Sequence, residues 1–376
     1  MWRILTAGES HGHSLVAIIE GLPSGLKIDL DFINQELSRR QEGFGRGKRM
    51  SLERDRVEII SGLRHGLTLG SPLTLVIQNR DFSLEKRASL PLLSPRPGHA
   101  DLAGVLKYDF NDCRDVWERA SARCTAIMVA GGAVAKIFLY QFGQIILSHV
   151  LSIGKVSVQP PRGLSYEEIF LRVEKSPLRV YQKKAEEAMI REIERAEREG
   201  DTLGGIFEVV CMGVPVGLGS YSQLDQRLDG RLAQAVMSIP SVKGVEIGLG
   251  FAASPLPGSR VHDEIFYSDG KFFRRTNRAG GLEGGLTNGE PIVIRGAMKP
   301  IPTLRNPLSS VDIKTKKKRR AEYTRADICA VPAGGVIAEA MVALELGRAM
   351  REKFGGDSLR EIKRNFKGYI DQLKAK

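Results

Sequence analysis

Cysteine is scarce in this sequence. The 376 residues hold four, Cys113, Cys124, Cys211 and Cys329, with no C-x-x-C pair and no histidines nearby at zinc-ligand spacing. A disulfide framework is thereby excluded, no metal is indicated, and reduced, mostly buried thiols are expected. Aromatic residues make up only 6%, which weighs against a surface of rings stacking on nucleic-acid bases. No apolar run approaches the roughly 20 residues of a membrane-spanning helix. The opening Met1-Trp2-Arg3-Ile4-Leu5 lacks a charged-then-apolar leader, so a cytoplasmic protein is expected. Repeats, low-complexity linkers and shifts in composition are also missing, and the expectation is one domain spanning residues 1–376.

What the sequence has in excess is positive charge, +12 from 56 Lys and Arg against 44 Asp and Glu. Such a balance calls for anionic partners without naming them. A membrane surface would favour a basic amphipathic helix, but the long charged segment near Ala185 to Glu199 is rich in glutamate as well. The run Lys316-Lys317-Lys318-Arg319-Arg320 motivates a rival reading, an anion-binding nucleic-acid-associated module, although no nucleic-acid motif accompanies it. Small, multiply anionic molecules gathered by arginines are the remaining class.

Hydrophobic patterning predicts strands at Trp2 to Leu5 and Ser14 to Glu20, joined by a turn holding Gly8 to His13. Asp31 is placed to cap a helix reaching Arg40, and Gly43, Gly45 and Gly47 then open a basic loop. Further strands are predicted at Val57–Ile60, Leu73–Ile77, Ile145–Ile153 and Ile206–Val210. Helices are predicted at Ala120–Ala135, Tyr181–Glu199, Leu228–Met237 and from Ala333 onward. The stretch Gly244 to Gly289 reads as Gly-rich loops, 312–322 as a flexible basic loop and 357–376 as a helical or frayed tail. The fold class expected is α+β, one large domain of mixed helices and largely antiparallel sheet.

Familiar phosphate-binding loops are not present. Gly43-Phe44-Gly45-Arg46-Gly47-Lys48-Arg49 lacks the spacing and hydroxyl of a P-loop, and Gly248-Leu249-Gly250 has no third glycine. Three other stretches carry chemistry. Gly8-Glu9-Ser10-His11-Gly12 sets an imidazole beside a hydroxyl in a turn, able to move a proton near neutral pH. Arg96-Pro97-Gly98-His99-Ala100-Asp101 offers a second imidazole flanked by an arginine and an aspartate. Glu118-Arg119-Ala120-Ser121-Ala122-Arg123 is read as the start of the small-residue helix, where backbone N–H groups, a hydroxyl and two guanidiniums could hold a phosphate. Each also has a plain reading, as a satisfied loop histidine, an ordinary turn and a helix start with surface ion pairs.

Taken in this order, and followed by Gly281-Leu282-Glu283-Gly284-Gly285-Leu286-Thr287-Asn288-Gly289, Met298-Lys299-Pro300-Ile301-Pro302-Thr303 and Arg325-Ala326-Asp327-Ile328-Cys329-Ala330-Val331-Pro332, these stretches resemble the chorismate synthase family from about Gly8 to Glu339. The resemblance implies a β-α-β sandwich. It also implies a carbon–oxygen lyase that eliminates phosphate from 5-enolpyruvylshikimate 3-phosphate in an anti 1,4 sense to give chorismate. That is the last common step of the shikimate pathway to the aromatic amino acids. Reduced FMN as cofactor, NADPH as a candidate reductant and a homotetramer are implied with it, as are a small anionic substrate and the absence of nucleic-acid and membrane partners.

By motif match, the resemblance assigns substrate or NADPH contacts to Ser10, Arg40, Arg46, Arg49, Arg96 and Arg123. It assigns flavin contacts to Arg119, Ala120, Ser121, Gly284, Lys299, Pro300, Ile301, Pro302, Thr303 and Arg325, and to Pro240 and Ser241, where the family usually has Asn-Ala. The catalytic roles implied are His11 as donor to the departing phosphate, His99 as donor toward the N1/C2 carbonyl edge of the flavin, and Asp327 near flavin N5. Cys124 stands where the family often has Glu, and Ala326 where Ser or His is common; either change alters local hydrogen bonding without touching an assigned residue.

Overall fold

The computed structural model describes residues 2–47, 54–80, 82, 91–158, 163–323 and 326–375. Strands β1 (Arg3–Ala7), β2 (Ser14–Glu20), β3 (Val57–Ser61) and β4 (Leu73–Gln78) form an antiparallel sheet in the order β1-β2-β4-β3. A second antiparallel sheet is built from β5 (Ile145–Ile153), β6 (Val156–Ser157), β7 (Gly205–Met212), β8 (Val242–Ile247) and β9 (Ile292–Met298), in the order β8-β9-β7-β5-β6. The predicted strands are thus present. In β2, Leu15, Ala17 and Ile19 are fully buried while the alternate side chains are not, the period of two that a half-buried sheet requires.

The helices, in chain order, are α1 (Leu30–Gln41), α2 (Asp101–Tyr108), α3 (Cys113–Ala120), α4 (Thr125–Tyr140), α5 (Tyr166–Val173), α6 (Lys183–Glu199), α7 (Leu228–Met237), α8 (Val331–Phe354) and α9 (Leu359–Lys374). Two of them, α4 and α8, lie against each other between the sheets, α4 on β2 and β4, α8 on β5 and β7. This is a sandwich of sheet, helices and sheet. Small residues permit it: a β-carbon added to Gly132 of α4 would fall 2.5 Å from Ala340 Cα of α8. The helical stretch Cys113–Tyr140 is long and apolar enough on average to cross a membrane, but 78% of its apolar window is buried inside the fold. Alanine, valine and isoleucine raise its hydropathy because α4 is a largely buried core helix.

Three local expectations are corrected. Helix α1 is capped by Asp29, whose carboxylate accepts from the N–H groups of Asp31 and Phe32 at 3.0 and 3.1 Å, rather than by Asp31. The predicted Ala120–Ala135 helix is two helices: Ser121 is extended (φ −67°, ψ 145°), which ends α3, and a 3-10 turn at Ala122–Cys124 precedes α4. Arg119 and Ala120 therefore occupy the C-terminal turn of α3, not a helix start. Within the Gly-rich stretch, β8 and a hairpin of Ile265–Ser268 with Lys271–Arg274 are ordered strands. Gly244 hid β8 from pattern reading, because the register with β9 shifts there.

The chain at 312–322 includes a strand, Lys318–Arg320, paired with Ser309–Val311, and most of the tail is α9. Cys113, Cys211 and Cys329 are buried and Cys124 is half-buried, all as free thiols. Behind the helices, buried Glu339 of α8 joins three elements: Lys136 Nζ of α4 lies 2.5 Å away, Arg39 Nη1 of α1 2.8 Å and Ser148 Oγ of β5 2.5 Å. Burial opposes charge on Glu339, yet Arg39, Lys136 and Arg179 hold its carboxyl well below the usual range. The network fixes α1 so that the next residue, Arg40, points the other way, into a cavity.

Candidate active site

The cavity has a volume of about 780 Å³, in the upper part of the roughly 300–1,000 Å³ range of small-molecule sites. Ser10, His11, Arg40, Arg46, Arg96, His99, Ala120, Ser121, Arg123, Pro240, Ser241, Lys299, Ile301, Pro302, Thr303 and Asp327 all line it. Segments far apart in sequence are brought together here: the β1–β2 turn, the end of α1, the loop before α2, the α3–α4 break, the starts of β8 and α8, and the loop after β9.

His11 sits at the tip of the β1–β2 turn. Its Nδ1 lies 2.9 Å from Glu118 Oε1, and its backbone N–H donates to Glu118 Oε2 at 2.8 Å. The Ser10 hydroxyl is 3.2 Å from that of Ser121. On the other flank, the Asn79 amide donates to the carbonyls of Glu9 and Gly12 at 3.0 and 2.8 Å. Asn79 in turn accepts from Arg123 Nε at 2.8 Å, and both Asp55 oxygens accept from Arg123 Nη1.

The second imidazole is built differently. His99 Nδ1 contacts Asp101 Oδ1, and Arg96 reaches Asp101 Oδ2 through Nε at 2.9 Å. Burial would raise the Asp101 carboxyl, but hydrogen bonds from His99 and Arg96 outweigh it and hold the group well below the ordinary carboxylate range. The Arg96 guanidinium also lies 3.7 Å over the Trp117 ring and donates to Thr303 Oγ1 at 3.1 Å. Beside this cluster, Lys299 Nζ donates to the carbonyl of Gly98, and burial, aided by Lys243, lowers its pKa. Asp327 accepts from Gly47 N–H at 2.6 Å and pairs with Arg46 Nη1 at 2.9 Å.

Arg40 is buried, and burial pushes its pKa down to about 10, with Asp55 opposing and Arg46 and Arg123 adding to the decrease. Its Nε and Nη2 donate to Thr125 Oγ1 and the Ala122 carbonyl, while buried Nη1, 3.6 Å from Asp55 Oδ2, has no hydrogen-bond partner among the described residues. Among the described residues, the lining thus combines four guanidiniums, an ammonium, two imidazoles and one carboxylate with an apolar wall of Trp117, Ile239, Met298, Ile301, Ala333 and Ile337. Such a surface takes multiply anionic molecules and can move protons at two points.

The chorismate synthase family model matches residues 2–350. The chain belongs to the chorismate synthase family. It is 53% identical to the chorismate synthase of Carboxydothermus hydrogenoformans over 99% of either chain, and 54% identical to that of Syntrophotalea carbinolica over 98% of this chain and 97% of that one. A crystal structure of a chorismate synthase superimposes with a TM-score of 0.83 at 44% identity, covering 100% of this chain and 99% of the other.

Some residues picked out by resemblance to chorismate synthases lie elsewhere. Arg119 is outside the cavity lining, its guanidinium donating to the carbonyls of Gly8 and Thr6 at 3.0 and 3.1 Å. Gly284, at φ +60° in the tight turn between Leu282–Glu283 and Leu286–Thr287, and exposed Pro300 are also outside it. Arg49 and Arg325 fall outside the described residues. Reading the sequence missed Asp55, Asn79 and Glu118, whose partners are 68, 44 and 107 residues away. For Glu118 the one available signal was its place directly before the Arg119-Ala120-Ser121 motif.

Proposed function

We propose that this cavity carries out the anti 1,4-elimination of phosphate from 5-enolpyruvylshikimate 3-phosphate, giving chorismate, with reduced FMN as the cofactor and NADPH as a candidate reductant. The observation that carries the reading is the meeting of His11, His99, Asp327 and four arginines around one cavity. The donor set suits the cofactor: the apolar wall suits a planar ring system, and the buried Nη1 of Arg40, which makes no hydrogen bond among the described residues, has one to give to an anion. Ala120, Ser121, Pro240, Ser241, Lys299, Ile301, Pro302 and Thr303 are the residues of the lining that would hold it, with Arg119, Gly284, Pro300 and Arg325 as further contacts by resemblance. When bound, reduced flavin supplies transient electron density to the allylic system with no net redox change.

The protein's own groups have separate tasks. Arg40, Arg46, Arg49, Arg96 and Arg123 bind the carboxylates and phosphates, and Ser10 donates to the leaving phosphate. As the C3–O bond breaks, phosphate leaves with the electron pair and His11 delivers a proton to its oxygen, while the C6 hydrogen is lost as a proton and its C6–H electron pair goes to the new ring double bond. His99, anchored on Asp101, donates a hydrogen bond toward the cofactor, and Asp327, held by Gly47 and Arg46, is a proton acceptor in the same lining. Fixed charges at these positions need no reorganisation as charge develops on the leaving group. A cytoplasmic homotetramer without nucleic-acid or membrane partners completes the reading. The test is anaerobic mixing of the pure protein with chemically reduced FMN and substrate while chorismate absorbance is followed. Absence of product with reduced flavin present defeats the assignment.

A further inference from the structure

The tip of the β1–β2 turn is seized by the last turn of α3. Ser10 N–H donates to the Glu118 carbonyl at 2.8 Å, and Arg119 holds the carbonyls of Thr6 and Gly8. Had the turn needed only backbone anchoring, these bonds and those of Asn79 would suffice. Glu118 does more: one carboxylate oxygen takes the His11 backbone N–H at 2.8 Å and the other faces Nδ1 of the same residue at 2.9 Å. Each oxygen of an acceptor-only group therefore contacts the same residue. The Glu118 side chain is 16% exposed and that of His11 29%, so water competes only in part for the contact.

A carboxylate can only accept, so the ring nitrogen facing it must carry hydrogen. We propose that Glu118 is the positioning carboxylate of His11, fixing the Nδ1–H tautomer so that Nε2 is the nitrogen offered to the leaving phosphate. This rests on the reading of His11 as the proton donor. The proton balance is closed: the imidazolium gives its Nε2 proton to the phosphate oxygen, the Nδ1 proton stays on the bond to Glu118, and the ring ends neutral in the tautomer that the carboxylate favours. Glu118 lies outside the cavity lining and acts through His11.

The experiment uses the full-length protein with chemically reduced FMN, labelled with ¹⁵N in its six histidines. Solid-state ¹⁵N spectra report the tautomer, and the His11 signals are identified by their loss in His11→Gln. Wild-type protein is expected to show a protonated Nδ1 and an unprotonated Nε2 in the neutral ring of His11. In Glu118→Gln, whose amide can accept through one atom only, that preference is expected to disappear and kcat to fall on the order of 10²-fold with KM little changed. Unchanged His11 shifts with unchanged kcat in Glu118→Gln, beside an inactive His11→Gln, overturn the assignment of Glu118 alone. Wild-type kcat in His11→Gln overturns the donor role of His11 and the purpose given to Glu118 with it. Should Glu118→Gln fail to fold, Glu118→Asp keeps the charge and is expected to retain both the Nδ1–H tautomer and most of kcat; loss of that tautomer at full kcat overturns the proposal.

Discussion

A single nitrogen of Arg123, Nη1, lies 2.7 Å from one oxygen of Asp55 and 2.8 Å from the other, on a carboxylate with no solvent exposure. Asp55 also lies 3.6 Å from Arg40 Nη1, so one anion separates two guanidiniums that would otherwise repel each other across the cavity wall. Removing it takes away the anion that these two buried cations share, at a cost of about 3–5 kcal/mol. Asp55→Ala is accordingly expected to lower the unfolding free energy by that amount in urea titrations. An unchanged midpoint and slope would show that the cations, not Asp55, set the stability here.

His99 is expected to contribute as a hydrogen-bond donor or acid in the transition state. His99→Ala should slow anaerobic turnover with reduced FMN by about 100-fold or more. Wild-type turnover in that variant would remove His99 from the mechanism and leave the Arg96–Asp101 pair as a purely structural feature.

The residues facing the cavity were legible because they sit in short motifs, whereas their supports were not. His11, His99 and Asp327 each stand among glycines, prolines or arginines that mark a turn, and the sheet and helix periods around them are regular. Asp55 and Asn79 are single polar residues next to the ends of β3 and β4, and only the antiparallel pairing of those strands, with α4 packed on the sheet, brings both to Arg123. The α3–α4 break was hidden for a related reason. Ala120 through Cys124 has good helical propensity, and it is the Ser121 hydroxyl, accepting from Arg123 N–H at 3.2 Å, that stabilises the extended residue and turns the chain.

Acid stability should report Asp101. Its folded carboxyl is more acidic than that of an unfolded aspartate, which titrates near about 3.9, so the unfolded chain binds more protons in this range. The stabilisation is complete above about pH 5 and is lost as the pH falls through and below about 4. Asp101→Asn is expected to be less stable than wild type at pH 7, with the gap narrowing toward pH 3 in parallel thermal melts. A gap that stays constant across this range would assign the loss to packing and exclude the charge.

The central helix pair offers the sharpest test of the fold. Gly132 and Ala340 meet where α4 crosses α8, and a β-carbon at residue 132 would collide with the Ala340 Cβ and lie 2.8 Å from its carbonyl oxygen. Neither is the far end of a flexible side chain, so the helices themselves must move apart. Because α4 leads out of the Ser121–Arg123 segment and α8 begins beside Asp327, separation would also widen the cavity. Gly132→Val is therefore expected to cost at least about 1–3 kcal/mol in urea unfolding, and to raise KM for substrate although residue 132 is outside the lining. The double variant Gly132→Ala with Ala340→Gly removes the contact with the Ala340 methyl but leaves those with its Cα and carbonyl oxygen, and should recover only part of the loss incurred by Gly132→Ala alone. Additive losses in that cycle would mean that the two helices do not share this contact.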